Sequence, residues 1–226
     1  MSPGQLELLK SAAPVGMSGI DLRLCLVEEM LTSGISGARL VVADPPWQYD
    51  RSSGSGCAAN HYDCPSMGDI VTALDMAYAC CAEDAYLVTF ATWPMLADFV
   101  LRMQQGRWAY VSGGSWHKTG GMGVGYHWRG NSEPVLLWRK GTPKPQATIG
   151  NAWAAPRLRH SEKPVSLLVD ILTAFSSPGD LVLSVYSGMC PEARAAKMTG
   201  RRLIGAEVDP ARHEMALGLL AQVRAQ

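Results

Sequence analysis

The chain has 226 residues, 47% hydrophobic and 18% charged, with twenty basic and twenty acidic residues and a formal net charge of zero. This is the composition of an ordinary globular protein, and the neutral balance argues against a uniformly basic, self-sufficient nucleic-acid binder. No run reaches the length of a membrane span and residues 1–10 lack a basic-then-apolar leader, so one cytoplasmic domain over residues 1–226 is expected.

The six cysteines are irregularly spaced and Cys80 and Cys81 are adjacent, which is no disulfide framework and points to a reducing compartment. Cys57, His61 and Cys64 lack an evident fourth ligand nearby, so no metal is expected. Charge is unevenly distributed: between Arg102 and Lys163 there are ten Lys/Arg and two acids, Glu133 and Glu162, against ten basic and eighteen acidic residues elsewhere. A polyanion would meet the middle of the chain.

Residues 1–33 look mostly helical, although Leu22, Leu24, Leu26, Val27, Met30 and Leu31 are too dense for a clean amphipathic face and part of the stretch can be extended. Within it, Asp21 has the side chain of a helix N-cap or a ligand acceptor. Residues 40–43 form a short apolar strand that runs into Asp44-Pro45-Pro46-Trp47. An amine conjugated to an aromatic ring is a poor nucleophile until its two N–H bonds are held so that the lone pair leaves the ring plane. Asp44 can accept one N–H and the Pro45 carbonyl the other, while Trp47 offers a flat face.

Residues 50–62, small and glycine-rich before His61 and Tyr62, form a candidate lid. Ser66 and Asp69 have capping-box spacing, which predicts a helix from there to about Cys81. Residues 84–91 predict a buried strand, a helix follows to Gln105 with Gly106 as its C-cap, and residues 108–111 predict another strand. Residues 113–130 hold seven glycines interleaved with Trp116, His117, Lys118, Tyr126, His127, Trp128 and Arg129. Mobility, aromatic faces and positive charge are the ingredients for gripping unstacked nucleotides, so residues 113–131 are the second candidate lid.

An apolar strand is expected at 135–138, irregular chain at 143–155, and a helix at 165–175 with Pro164 in its first turn. A strand at 181–185, a turn at 186–190 containing Gly188, a helix at 191–199 and a strand at 201–208 complete the pattern. Strand, glycine turn, helix and strand with a terminal acid describe a nucleotide-type site, with Glu207, or failing it Asp209, on ribose hydroxyls. The alternation throughout predicts an α/β fold: a mostly parallel sheet with helices on both faces.

Asp44-Pro45-Pro46-Trp47 after an apolar strand resembles the signature of the MT-A family of amino-methyltransferases, which are related to bacterial DNA amino-methyltransferases. The stretch from Gly123 through Tyr126, Arg129, Asn131 and Glu133 to Pro134 resembles a second segment of that family. The resemblance covers about residues 41–210 and implies a Rossmann-like methyltransferase fold of seven strands that uses S-adenosylmethionine. It implies methyl transfer to the 6-amino group of adenine in nucleic acid, DNA favoured over RNA, with low sequence specificity and a homodimer or a related partner subunit.

By the same resemblance Asp44, Pro45, Pro46 and Trp47 are catalytic. Asp21, Lys163, Tyr186, Gly188, Glu207 and Asp209 hold the cofactor, Asp21 on its adenine amine and Lys163 on its carboxylate or on a substrate phosphate. Tyr62, His61, Lys118, Tyr126, Arg129, Asn131 and Glu133 face the substrate. The chain departs from related DNA methyltransferases at Ser184-Val185-Tyr186, where they have Asp-Pro-Phe, and at Cys190, where they have a second glycine. Two other readings are a catalytically inactive nucleic-acid-binding partner of the same fold and an enzyme acting on the cytosine 4-amino group or a protein amide.

Overall fold

The computed structural model describes residues 19–47, 65–121, 127–156 and 162–223. In chain order the elements are β1 (Ile20–Leu24), α1 (Val27–Leu31), β2 (Ala38–Ala43), α2 (Met67–Cys80), β3 (Cys81–Phe90), α3 (Leu96–Met103), β4 (Ala109–Thr119), β5 (Ser132–Lys140), β6 (Ala152–Pro156), α4 (Val165–Phe175), β7 (Leu181–Val185), α5 (Pro191–Thr199), β8 (Arg202–Glu207) and α6 (Pro210–Ala221). The strands form one sheet in the order β1-β8-β7-β2-β3-β5-β4-β6. β5 runs antiparallel to both β3 and β4, and every other pairing is parallel. Among the described residues the expected seven strands are eight.

Helices cover both faces. Val41 and Ala43 pack with α1, α2 and α3 on one side, through Met30, Leu74 and Phe99 among others. Leu40 and Val42 pack with α4, α5 and α6 on the other, through Leu168, Ala193 and Leu220. A strand buried on both faces must be apolar at successive positions, which is why β2 shows no alternation. Helix α2 begins where the capping box placed it: the Ser66 side chain accepts from the Asp69 amide and the Asp69 carboxylate accepts from the Ser66 amide. No helix among the described residues is long and apolar enough to cross a membrane.

Five expectations need correction. Residues 20–24 are a strand and only 27–31 are helical in the described part of the first 33 residues; apolar density there reflects a strand against β8. Helix α3 stops at Met103, with Gln104 rather than Gly106 at its C-cap. Residues 113–119 belong to β4, and residues 152–156 are the edge strand β6 rather than irregular chain. Pro164 is the N-cap of α4, one residue before its first turn.

The glycines of β4 mislead because one of them has a packing role. A Cβ on Gly114 would collide with the Asn151 carbonyl, whose oxygen accepts from the Ser115 amide at 2.8 Å and leads the chain into β6. Backbone, rather than a flexible side chain, blocks the position. Gly114→Ala is therefore expected to destabilise the protein by about 1–3 kcal/mol, measured by urea unfolding. An unchanged midpoint would show that β6 can shift without cost.

Candidate active site

The strand order reverses between β2 and β7. From β2 the chain crosses by α2 to β3 on one side; from β7 it crosses by α5 to β8 on the other. In open α/β sheets the crevice beyond the carboxyl ends of two such strands is where ligands bind. Asp44-Pro45-Pro46-Trp47 follows β2 and the turn 186–190 follows β7, so the two most distinctive sequence segments share this crevice.

A buried charge cluster lies at the same edge. Because β5 is antiparallel, its beginning meets the end of β3, with the Ala91 amide bonded to the Pro134 carbonyl at 3.0 Å. That arrangement brings Glu133 to the crevice, and the end of β4 brings Lys118 beside it. The Lys163 ammonium pairs with Asp44 and lies 3.3 Å from Glu133, while Lys118 pairs with the other Glu133 oxygen. Lys163 is 5% exposed and its ammonium also lies 5.0 Å from the centre of the Phe90 ring. Just before it, Glu162 is paired with Arg194 of α5, which anchors the segment leading into α4.

Burial sets the protonation of this cluster, and the ion pairs oppose it. Burial, reinforced by Glu133 and opposed by Lys163, pushes the Asp44 carboxyl above its ordinary range. For Glu133 burial acts in the same sense, but Lys163 and Lys118 outweigh it and hold the carboxyl below its usual value. Burial alone would neutralise Lys163; Asp44 and Glu133 outweigh it and raise the ammonium's pKa. A fourth carboxyl, Glu192 in the first turn of α5, is 4% exposed and burial pushes it up to about 7.

Across the crevice, Glu207 closes β8. Its two oxygens accept from the Gly188 amide at 2.7 Å and the Asp209 amide at 2.8 Å, so the carboxylate is fixed against the turn that follows β7. In that turn Tyr186, Gly188 and Cys190 all have positive φ, at 63°, 56° and 43°. The Tyr186 hydroxyl and the Trp47 indole nitrogen are buried without hydrogen-bond partners among the described residues.

Thus Asp44, Lys118, Glu133 and Lys163 are brought together, and Gly188 meets Glu207. Several sequence expectations fare differently. Asp21 pairs in register with Ile204, three residues before the level of Glu207, or roughly 10 Å back along the strand, and its carboxylate holds Arg23 at 2.8 Å. Its other oxygen is buried without a hydrogen-bond partner among the described residues. Asp209 caps α6, accepting from the Ala211 and Arg212 amides, and is used by that helix. Lys163, expected on a cofactor carboxylate or a phosphate, spends its charge on Asp44 and Glu133.

Trp47 is 5% exposed and packs edge-on against Phe99 at 5.1 Å, so it is a core wall rather than an open platform. Asn131 contributes its backbone carbonyl to the Lys118 amide, and Arg129 is exposed, outside the buried cluster. His61, Tyr62 and Tyr126, the loop 50–62 and the possible ligands Cys57 and Cys64 lie outside the described residues. Sequence reading missed Glu192 and Arg194 entirely. Two charges in the opening turn of an otherwise small-residue helix were the available signal.

No protein-family model matches the chain. Two curated proteins of Escherichia coli (strain K12) are similar in part. DNA adenine methyltransferase YhdJ is 33% identical over 100 residues, 39% of this chain and 34% of YhdJ. The protein named "Putative methylase YubD" is 28% identical over 155 residues, 65% of this chain and 66% of YubD. The chain therefore spans about a third and just under two thirds of these relatives.

Among solved structures, the "Putative DNA Modification Methylase" of Thermus thermophilus, complexed with S-adenosyl-L-methionine, superposes with a TM-score of 0.72 at 20% identity, covering 91% of this chain and 95% of that one. The PvuII DNA methyltransferase, described as cytosine-N4-specific, gives 0.75 at 14% identity, covering 92% and 88%.

Removing the shared cation tests the cluster. The depressed pKa of Glu133 adds stability that is present above the ordinary value of 4.5 and is lost as pH falls through the folded-state value. The raised pKa of Lys163 adds stability that is present below 10.5 and lost as pH rises through its folded-state value. Lys163→Met leaves two carboxylates buried with Lys118 alone. A loss of about 3–5 kcal/mol is expected at pH 8, shrinking towards pH 5 as the carboxyls protonate, followed by denaturant unfolding at both pH values. A pH-independent loss would contradict the charge explanation. These superpositions establish a likeness of fold: the chain has the Rossmann-like α/β fold of these methyltransferase structures.

Proposed function

We propose that this chain transfers a methyl group from S-adenosylmethionine to the exocyclic amine of a base in DNA, with the 6-amino group of adenine as acceptor. The observation that carries the reading is Asp44-Pro45-Pro46-Trp47 at the mouth of β2, beside the turn after β7 at the point where strand order reverses. The partial identity to a DNA adenine methyltransferase and the fold shared with a methylase solved with S-adenosyl-L-methionine support it.

The residues fit that cofactor. Each oxygen of Glu207 already takes one backbone N–H, which fixes the carboxylate while leaving lone pairs for two ribose hydroxyls. Gly188 brings backbone close to the ligand without a side chain, and the partnerless Tyr186 hydroxyl offers a further polar contact. When bound, S-adenosylmethionine supplies an electrophilic methyl on a sulfonium.

The chain's own part is alignment. Asp44 has one oxygen on Lys163 and the other available to an amine N–H. The Pro45 carbonyl takes the second N–H, so the nitrogen lone pair turns towards the methyl group. Holding Asp44 by Lys163 fixes its direction before the base arrives, and preorganisation of this kind supplies up to about 7–11 kcal/mol in favourable cases. Once the nitrogen carries its new methyl, its surplus proton passes to Asp44 or to water. The target base must leave its stack to reach this depth. Trp128, at 91% exposure within the segment 127–132, and Trp93, at 53% and donating to the Ser132 carbonyl at its end, provide aromatic surface for DNA.

A second reading, the 4-amino group of cytosine, is favoured by the similarity to the cytosine-N4-specific PvuII enzyme, and the same two acceptors suit either amine. The deciding experiment incubates the protein with isotopically labelled S-adenosylmethionine and unmethylated DNA, then identifies the methylated nucleoside by mass spectrometry. N6-methyladenine supports the reading, N4-methylcytosine transfers it to the second, and no product with a cofactor-bound protein overturns both.

Asp44→Ala is expected to cut methyl transfer by roughly 10²–10³-fold while S-adenosylmethionine binding persists, both measured on the same preparation. Unchanged turnover would remove Asp44 from the mechanism. Glu207→Ala is expected to weaken S-adenosylmethionine binding by about tenfold or more, read by calorimetry; an unaltered Kd would contradict its place on the ribose.

A further inference from the structure

At this edge of the sheet, three buried or half-buried acids each have a cation: Asp44 with Lys163, Glu133 with Lys118, and Glu162 with Arg194. Glu192 has no ion pair among the described residues, although it is 4% exposed. Its carboxylate touches the Ser184 hydroxyl at 3.5 Å and the amide of its own residue. Ser184 lies opposite Val42 in the sheet, two residues before Asp44 and on the same face. The buried carboxyl therefore sits beneath the crevice, one layer under the catalytic segment, and is the odd negative charge in an otherwise paired set.

A buried carboxylate with no cation takes a proton unless positive charge is brought near it. We propose that Glu192 is a charge-compensating positioning residue: it holds a proton while the crevice lacks a cationic ligand and releases that proton to solvent when the sulfonium of S-adenosylmethionine enters. This inference rests on the cofactor assignment of the proposed function. The balance is simple: the Glu192 O–H bond breaks, the proton leaves to water, and the ligand's positive charge takes its place in the low-dielectric edge of the sheet. No direct contact between ligand and carboxylate is required, because an unscreened charge acts over several ångströms there.

The groups that face Glu192 agree with this role. Burial disfavours its charge most, the Asp44 carboxylate from the end of β2 adds to that, and Lys163 and Arg194 partly offset it. Both of these cations are already engaged by other acids. Cys190, the N-cap of the same helix, feels Glu192 in return, although burial is the larger cause of its pushed-up thiol, at about 12. Glu192 thus titrates near neutrality, where the proton it carries can be exchanged for a ligand's charge.

The test is calorimetric titration of the whole protein with S-adenosylmethionine at pH 7 in buffers of different ionisation enthalpy, repeated with S-adenosylhomocysteine, which lacks the sulfonium charge. Wild-type protein is expected to release about half a proton with S-adenosylmethionine and markedly less with S-adenosylhomocysteine, and its S-adenosylmethionine Kd to tighten by about tenfold from pH 6 to pH 8. Glu192→Gln is expected to bind S-adenosylmethionine without that release and to lose the pH dependence it causes.

The comparison of the two ligands on wild-type protein needs no variant, so it holds even if Glu192→Gln folds poorly. Equal release with both ligands, or the same release from Glu192→Gln, overturns the inference while leaving the cofactor assignment intact. Absence of S-adenosylmethionine binding at every pH overturns that assignment and this inference with it.

Discussion

Lys163 joins parts of the molecule that the chain itself keeps far apart. Its ammonium serves Asp44, 119 residues earlier, and Glu133, which arrives on an antiparallel strand with β3 lying between. An isolated ammonium at 5% exposure costs several kcal/mol in desolvation, so Lys163 depends on the carboxylates beside it. The dependence runs both ways, because each acid is itself largely removed from water. Seating of β5 against β3, the entry into α4 and the direction of the Asp44 carboxylate are therefore one linked condition.

The linkage explains why the cluster lies at the crevice and not elsewhere in the sheet. Backbone pairing alone would hold β2, β3 and β5 together, since their interior is apolar and buried. It would leave the Asp44 side chain free to choose its rotamer. Under the proposed transfer the carboxylate would accept an amine in one direction, and a buried lysine fixes that direction beforehand without occupying the second oxygen. The ion pairs hold Glu133 as an anion, whereas at Asp44 burial outweighs the pairing and brings the carboxyl nearer to protonation, so two carboxyls sharing one ammonium have different chemistry.

Much of this architecture was legible where local punctuation is strong. Ser66 with Asp69, Pro164, the apolar run 181–185 and the apolar run before Asp44 marked α2, α4, β7 and β2 within a residue or two, because such local signals act over one turn or one short strand of chain. Glycines misled in β4, since Gly114 serves the approach of β6 rather than mobility. Long-range facts left no local trace: the reversal of β5, the choice of Asp44 and Glu133 as partners for Lys163, and the register that sets Asp21 three residues below Glu207. An aspartate in a strand looks the same whichever level it occupies; only pairing decides which ligand it can meet. Trp47 was misjudged for a related reason, as an aromatic after a proline pair can face either the crevice or Phe99.

The turn after β7 bears on the departures from related sequences. A second glycine is expected where the chain has Cys190, yet Cys190 takes the left-handed conformation such a glycine would take, at φ 43° and ψ 61°. For a residue with a side chain that costs about 1–2 kcal/mol, and the surroundings supply the compensation. The Cys190 amide donates to the Ser187 carbonyl at 2.7 Å, the Ser187 amide to Ala206 at 3.0 Å, and the Gly188 amide to Glu207. The thiol is buried beside the Ser184 hydroxyl, where the strand lacks its expected acid. With a cysteine in the left-handed position, the turn still aims the Gly188 amide at Glu207. Glu192 approaches that same hydroxyl from the helix side, at 3.5 Å.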